Sequence, residues 1–385
     1  MRKEYYLYIT IIILFVIGFF YYNRPLHTHG LTDPGEEYFV LPERTLPSSW
    51  KIAEQDSSTD HEPTTIDEKL FKLDEILQQY HRQNGEPNYT YSKTTTGGII
   101  EELYFDNLTT LFNSGDNKEV IQYHINNFAR YMSGYELYPP QLDFTTAIPR
   151  FTNHQSIFRV GSLYTALLCY EGKQKECHDN FSTLFQFSQQ MKNAGSLVSL
   201  LIGIVEEGIV MNHIEYLYQS NPTQYQFLIT MLQGQPYINA EKSFHNVFIS
   251  EYLIAKNEIH RMPMNLLEAY DLISVVNSND ERDPTGLVIS ILKTLRIPIK
   301  WLFDIPETLR LARSLYYKEI TDPYIPDSEG NDDNIIDRYR PSGHPITRKN
   351  IIGYQLLNAL IPRLTGIQGR ALDQEKRFNN LINQQ

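Results

Sequence analysis

Hydrophobic and polar positions divide this chain into three stretches. An unbroken apolar run occupies residues 5–22, a polar stretch with scattered prolines covers residues 23–64, and apolar residues three and four apart recur through residues 65–385. That spacing is typical of amphipathic helices, whereas the alternation typical of strands is almost absent. The pattern predicts an all-α protein with a single N-terminal transmembrane helix at residues 1–22, a flexible linker and an irregular array of antiparallel helical hairpins.

The apolar run at residues 5–22 contains eighteen residues and no charge. At about 1.5 Å per residue it would form a helix of roughly 27 Å, close to the hydrocarbon thickness of a bilayer. Aromatic residues at both ends favour the two membrane interfaces. A cleaved signal peptide would need small residues after the apolar core, whereas Tyr21, Tyr22 and Asn23 are bulky. We therefore expect an uncleaved anchor, and neither a signal peptide nor a buried core helix.

The charges that flank the run predict its orientation. Arg2 and Lys3 precede it and are opposed only by Glu4. Because positive residues are retained on the cytoplasmic side, the N-terminus is predicted to lie in the cytoplasm. Residues 23–385 would then lie on the periplasmic, extracytoplasmic side of a cell inner membrane.

The linker at residues 23–64 is rich in proline and polar residues and has no sustained apolar period. Such composition is typical of a tether between a membrane and a domain. Two apolar patches, Tyr38 to Leu41 and Trp50, could dock on the domain or remain free. The sequence pattern does not decide between these alternatives.

Helix start and stop signals divide residues 65–385 further. Thr65 to Glu68 fits a capping box, and Asn221 followed by Pro222 is typical of a helix start. Prolines predict a possible seam at residues 134–153, and the polar residues 321–345 predict a long exposed loop. The predicted helices begin at Thr65 and continue with Ile99 to Phe112, Asp116 to Met132, Ser156 to Tyr170, Lys175 to Lys192, Ser196 to Tyr218, Thr223 to Leu232, Ala240 to Arg261, Asn265 to Val276, Thr285 to Phe303, Pro306 to Ile320 and Thr347 to Asn383.

A second apolar stretch, residues 287–303, raises the question of another membrane segment. Lys293, Arg296 and Lys300 argue against a spanning helix, because each charge at the bilayer centre costs at least about 2.5 kcal/mol. We expect an interfacial or buried amphipathic helix, and the sequence does not determine whether it contacts lipid.

Composition excludes two classes of protein. The chain has 34 Lys and Arg against 46 Asp and Glu, a net charge of −12, so a nucleic-acid partner is not expected. Hydrophobic residues make up 41% of the chain, including 27 tyrosines, which is too apolar for a disordered protein. The two cysteines, Cys169 and Cys177, could form a disulfide across a helical hairpin or remain two buried thiols.

No motif in the sequence carries recognisable chemistry. The eleven histidines show no metal-binding spacing, and GxSxG, P-loop and GxGxxG elements are absent, so we predict no metal or cofactor. The weak catalytic candidates are Glu206, Glu207 and His213 on the helix at residues 196–218. A carboxylate and an imidazole on one helix face could perform acid–base chemistry, or they could form interhelical hydrogen bonds that determine packing.

Several segments resemble an uncharacterised bacterial family of N-terminally membrane-anchored, all-helical extracytoplasmic proteins. The similarity lies in Arg159, Ala166, Gly172, Leu197 to Ile204, Asn350 to Gly353, Leu356, Leu357, Pro362 and Arg370, and extends over about half the chain. The resemblance implies an all-α extracytoplasmic domain. It implies no activity and no functional residues.

Two functional hypotheses follow from these features. The anchor, linker and helical hairpins favour a membrane-tethered module, held in the membrane by residues 5–22, that binds a protein partner or organises an envelope assembly. The alternative is an anchored hydrolase of an envelope polymer with a site at Glu206, Glu207 and His213. The absence of a catalytic motif favours the first hypothesis over an enzyme.

Overall fold

The computed structural model describes residues 31–40, 65–84, 108–126, 151–193, 196–261, 303–321, 357 and 365–383. Secondary structure within these ranges is helical, and none of their residues lies in a strand. This confirms the predicted all-α class. The main helices are α1 (Thr65–Asn84), α2 (Asn117–Asn126), α3 (Phe151–Tyr170), α4 (Gln174–Lys192), α5 (Leu197–Ser220), α6 (Pro222–Gln233), α7 (Ala240–Arg261), α8 (Ile305–Thr321) and α9 (Thr365–Ile382).

Several predictions fall outside the described residues. These are the anchor at residues 1–22, the seam except for residues 151–153, the helix at residues 265–276, most of the apolar stretch 287–303, and the loop beyond Thr321. Each of them stays a prediction.

Local capping signals determine where α5 and α6 begin. The Ser196 hydroxyl accepts a hydrogen bond from the Ser199 backbone N–H at 3.0 Å. The Asn221 side chain does the same for the Gln224 N–H at 3.1 Å, and Pro222 occupies the first turn of α6. These caps satisfy N–H groups that have no intrahelical partner. The predicted start at Asn221 and Pro222 is confirmed.

The chain divides into two compact units. The described part of the first unit comprises residues 31–40, α7 from Phe248 onwards and α8. The second unit contains α1 to α6, α7 as far as Val247, and α9 from Ile367.

The second unit is organised around α5. Helices α3, α4 and α5 pack on one another, α6 packs on α4 and α5, and α1 and α2 pack on α3. A continuous buried cluster includes Leu70, Phe158, Phe181 and Leu228. Charged groups also join the helices, because Arg159 on α3 donates to the Asp74 carboxylate on α1 at 2.9 Å.

Helix α5 is long and apolar enough to cross a membrane, and it is the one such helix among the residues described. Most of its apolar window is buried against neighbouring helices of the unit. A helix that is apolar on all sides is typical of the centre of a protein core as well as of a membrane span. Its packing assigns α5 to the core.

Gly203 allows α5 to approach α4 closely. A Cβ atom at this position would lie 2.6 Å from the Lys192 backbone nitrogen and 2.8 Å from the Ser188 carbonyl oxygen. Both neighbours are backbone atoms, so a side chain fits only if one helix moves. The glycine therefore determines the separation of the two helices at this point.

Candidate functional site

The catalytic candidates on α5 lie inside the second unit. Glu206 and Glu207 are fully buried, and His213 is 7% exposed. The imidazole Nδ1 of His213 lies 2.9 Å from the Ile209 carbonyl oxygen on the same helix. A polymer substrate cannot reach side chains that are enclosed in this way.

Glu207 forms an ion pair with a residue that the sequence did not single out. The Lys192 ammonium at the end of α4 donates to Glu207 Oε2 at 2.8 Å, and the two side chains are 2% and 0% exposed. The same ammonium lies 4.2 Å from the centre of the Tyr237 ring, which Phe378 of α9 stacks against at 4.0 Å. Gly203 lies one turn before Glu207, so the close helix approach and the ion pair occur on one face of α5.

Glu206 has a different electrostatic environment from Glu207. Complete burial raises the pKa of the Glu206 carboxyl well above its ordinary value, because the charged form loses its hydration. Burial therefore favours the protonated form of Glu206. The two adjacent glutamates have different environments, since Glu207 is paired with Lys192 whereas burial raises the pKa of Glu206.

Replacing Glu206 with glutamine is expected to stabilise the protein at pH 7 to 8. The unfolded carboxyl ionises near 4.5, whereas the folded group ionises at higher pH. Burial of the ionised group therefore costs the wild type least below about pH 4.5, and the free energy of unfolding falls as pH rises towards the folded pKa. Glutamine removes this loss. Urea unfolding of the full chain at several pH values measures the difference.

The matched control is Glu241 to glutamine, since Glu241 is an exposed carboxylate at the start of α7. That variant should change the free energy of unfolding by less than about 1 kcal/mol, because it removes only a charge at an exposed helix start. If the Glu206 variant also follows the wild type at every pH, the raised pKa of Glu206 is wrong.

The described residues contain no cluster of three or more His, Cys, Asp or Glu side chains that could hold a metal ion. The two cysteines lie at the end of α3 and the start of α4. Their Cα atoms are 5.2 Å apart and their sulfurs are joined in a disulfide. Gly172, at φ +76°, allows the sharp turn between the two helices.

A surface site lies on the first unit, where residues 33–39 of the linker dock on α7 and α8. Arg313 of α8 donates to both oxygens of Asp33, through Nε and Nη2, each at 2.8 Å. Its Nη1 also lies 3.4 Å from Glu36 Oε1. Lys256 of α7 pairs with the other oxygen of Glu36. A bidentate Arg–carboxylate pair determines the orientation of the bound segment as well as contributing to its affinity.

Aromatic side chains complete this docked segment. Tyr38 meets Tyr317 edge to face, with ring centres 4.8 Å apart. Phe39 is buried, and its ring centre lies 4.1 Å from that of Tyr252. Gly35 has a φ of +87°, and its N–H donates to Asp33 Oδ1, so the chain turns between the first acidic residue and the aromatic pair. We call Lys256, Tyr252, Arg313 and Tyr317 the docking surface.

The docking surface changes the ionisation of the segment that it holds. The hydrogen bond from Arg313 lowers the pKa of Asp33, and that from Lys256 lowers the pKa of Glu36. Burial raises the pKa of Tyr252 to about 12. The carboxylates contribute to docking above their ordinary pKa values, and that contribution is lost as pH falls through the lowered values.

Sequence reasoning located this site only in part. The patch at Tyr38 to Leu41 is one of two segments that the sequence leaves either docked or free. Tyr38 and Phe39 dock, whereas Val40 is exposed, and Leu41 and Trp50 lie outside the described ranges. The partners Lys256 and Arg313 were missed. No local signal could have identified Arg313, which is 280 positions from Asp33.

No family model, curated protein or solved structure matches this chain.

Proposed function

We propose that this protein is a membrane-anchored, extracytoplasmic helical module that binds extended protein segments. The observation that supports this most directly is the docking surface. It already holds a short acidic and aromatic segment through two charged contacts and two ring contacts. Charged hydrogen bonds combined with aromatic anchors are the interactions that dominate protein–protein recognition.

The membrane location is supported by the apolar run at residues 5–22 and by the charges that precede it. The pairing of Cys169 with Cys177 supports an oxidising compartment, because structural disulfides are rare in reducing cytoplasm. Contacts between consecutive helices, joined by connections as short as Asn221, support antiparallel hairpins as the building units.

The hydrolase alternative receives less support from the geometry. Glu206, Glu207 and His213 are buried between helices, and the ammonium of Lys192 already occupies one oxygen of Glu207. A polymer-cleaving site needs an acid and a base that reach the substrate. These side chains are better explained by packing and charge pairing.

The location is tested by fractionation and protease treatment of cells that express the full chain. We expect the protein in the membrane fraction, protected from protease on the cytosolic face and digested from the opposite face. Trapping thiols with an alkylating reagent under denaturing conditions should leave Cys169 and Cys177 unmodified until a reductant is added. A freely soluble chain, or digestion from the cytosolic face, would exclude the proposal.

Binding is tested by proximity labelling in the native membrane. The wild type should label the same neighbours in repeated experiments, and Arg313→Gln should change that set because it alters the docking surface. Arg261→Gln is the matched control, since Arg261 of α7 pairs with Glu258 on its own helix. The absence of reproducible neighbours, together with turnover of a small molecule by the purified protein, would favour the enzyme alternative.

A further inference from the structure

We propose that residues 33–39 act as a clip that holds the first unit beside the bilayer. The inference rests on the proposed function, which supplies the membrane anchor at residues 5–22. The docking surface belongs to α7 and α8, far along the chain, yet its ligand lies near the N-terminal end of the linker. Docking therefore joins the first unit directly to the membrane end of the linker.

Chain geometry predicts that docking greatly shortens the connection between the membrane anchor and the first unit. Without docking, the linker of residues 23–64 has 42 residues, and its root-mean-square end-to-end distance would be about 36 Å, with a fully extended length of about 140 Å. With Asp33 held on α8, only residues 23–32 separate the anchor from the first unit. Ten residues span at most about 34 Å even when fully extended. The clip thus converts a long tether into a short one.

The contacts determine the direction in which residues 33–39 lie on the docking surface. Arg313 contacts both Asp33 and Glu36, so these two charged contacts share one rigid guanidinium group. At the C-terminal end of the segment, the buried ring of Phe39 packs against Tyr252. The pair between Arg313 and Asp33 is bidentate, and the aromatic contacts lie C-terminal to it in the segment. The segment therefore docks in one direction and at one register.

The clip also determines which part of the protein lies near lipid. The remainder of the chain is strongly acidic, so it would be expected to stand away from an anionic bilayer surface. In the docked segment, Asp33 and Glu36 are paired with Arg313 and Lys256, so their charges are neutralised locally. The clip can therefore hold the first unit near the membrane against that repulsion.

Energy transfer in lipid nanodiscs tests the clip. The full chain carries a donor dye on an unnatural amino acid at position 321, an exposed site at the end of α8, and the lipid headgroups carry the acceptor. We expect efficient transfer in the wild type and at least about a twofold lower efficiency in Asp33→Asn/Glu36→Gln. Arg313→Gln should give the same decrease, and Arg261→Gln, which removes an arginine paired on its own helix, should retain the wild-type value.

The double substitution in the clip lies outside the helices that form the docking surface, so it separates release of the segment from misfolding of α8. Circular dichroism should show unchanged helicity for all variants. If the clip variant is incorporated in nanodiscs and keeps wild-type transfer, the clip is refuted while the membrane anchor stands. If the wild type is not incorporated at all, the anchor at residues 5–22 is refuted and the clip with it.

Discussion

Replacing Lys192 with methionine is expected to lower the free energy of unfolding by about 3 to 5 kcal/mol, a larger loss than we expect from any other single substitution proposed for this protein. The substitution leaves the Glu207 carboxylate fully buried without the cation that now lies 2.8 Å from it. It also removes the charge over the Tyr237 ring. Urea unfolding of the full chain, followed by circular dichroism, measures the loss.

Two further variants isolate the cause of this loss. Lys192→Met combined with Glu207→Leu should recover most of the stability, because a buried ion pair can be replaced by apolar side chains of similar volume at little net cost. Lys173→Met is the matched surface control: Lys173 pairs with Glu171 in solvent, and the change should cost less than about 1 kcal/mol. A Lys192 variant as stable as the Lys173 variant would contradict a buried pair.

Replacing Gly203 with alanine is expected to destabilise the protein by about 1 to 3 kcal/mol. Alanine normally stabilises a helix interior by about 1 kcal/mol relative to glycine. At this position its methyl group would lie 2.6 Å from the Lys192 backbone nitrogen, so α4 and α5 must separate. That separation also disturbs the pair between Lys192 and Glu207, which adds to the cost. Thermal unfolding of the full chain measures it.

Gly208 offers a matched control in the same helix. A methyl group there would meet only the end of the Gln374 side chain, at 3.4 Å, which is an ordinary van der Waals distance. Gly208→Ala should therefore be neutral or slightly stabilising. Equal melting temperatures for the two alanine variants would show that close approach of α4 and α5 is not required.

Local signals account for the parts of the fold that could be predicted. Helix α6 begins at the predicted Asn221 and Pro222 because both the side-chain cap and the proline act within one turn. Helix α5 extends two residues beyond the predicted Tyr218, to Ser220, where the cap of the next helix begins. Such differences at helix ends reflect contacts that a periodicity argument does not include.

The candidate site on α5 illustrates what periodicity cannot decide. The spacing of Glu206 and His213 correctly places them on related faces of one helix. An apolar helix with a few polar residues is compatible with an open cleft and with a sealed core. Burial against α3, α4 and α6 selects the core, and Lys192 of α4 supplies the cation for Glu207.

By itself, the sequence determined that this protein is helical, where several helices begin, and that it carries an apolar run long enough to span a bilayer. Those properties depend on hydrogen bonds and apolar spacing within a few residues. Only the tertiary structure decided that Lys192 neutralises Glu207 and that Asp33 docks on Arg313. Those pairs depend on which faces of distant segments meet, because a charge can be buried or held only where a partner is brought within hydrogen-bonding distance.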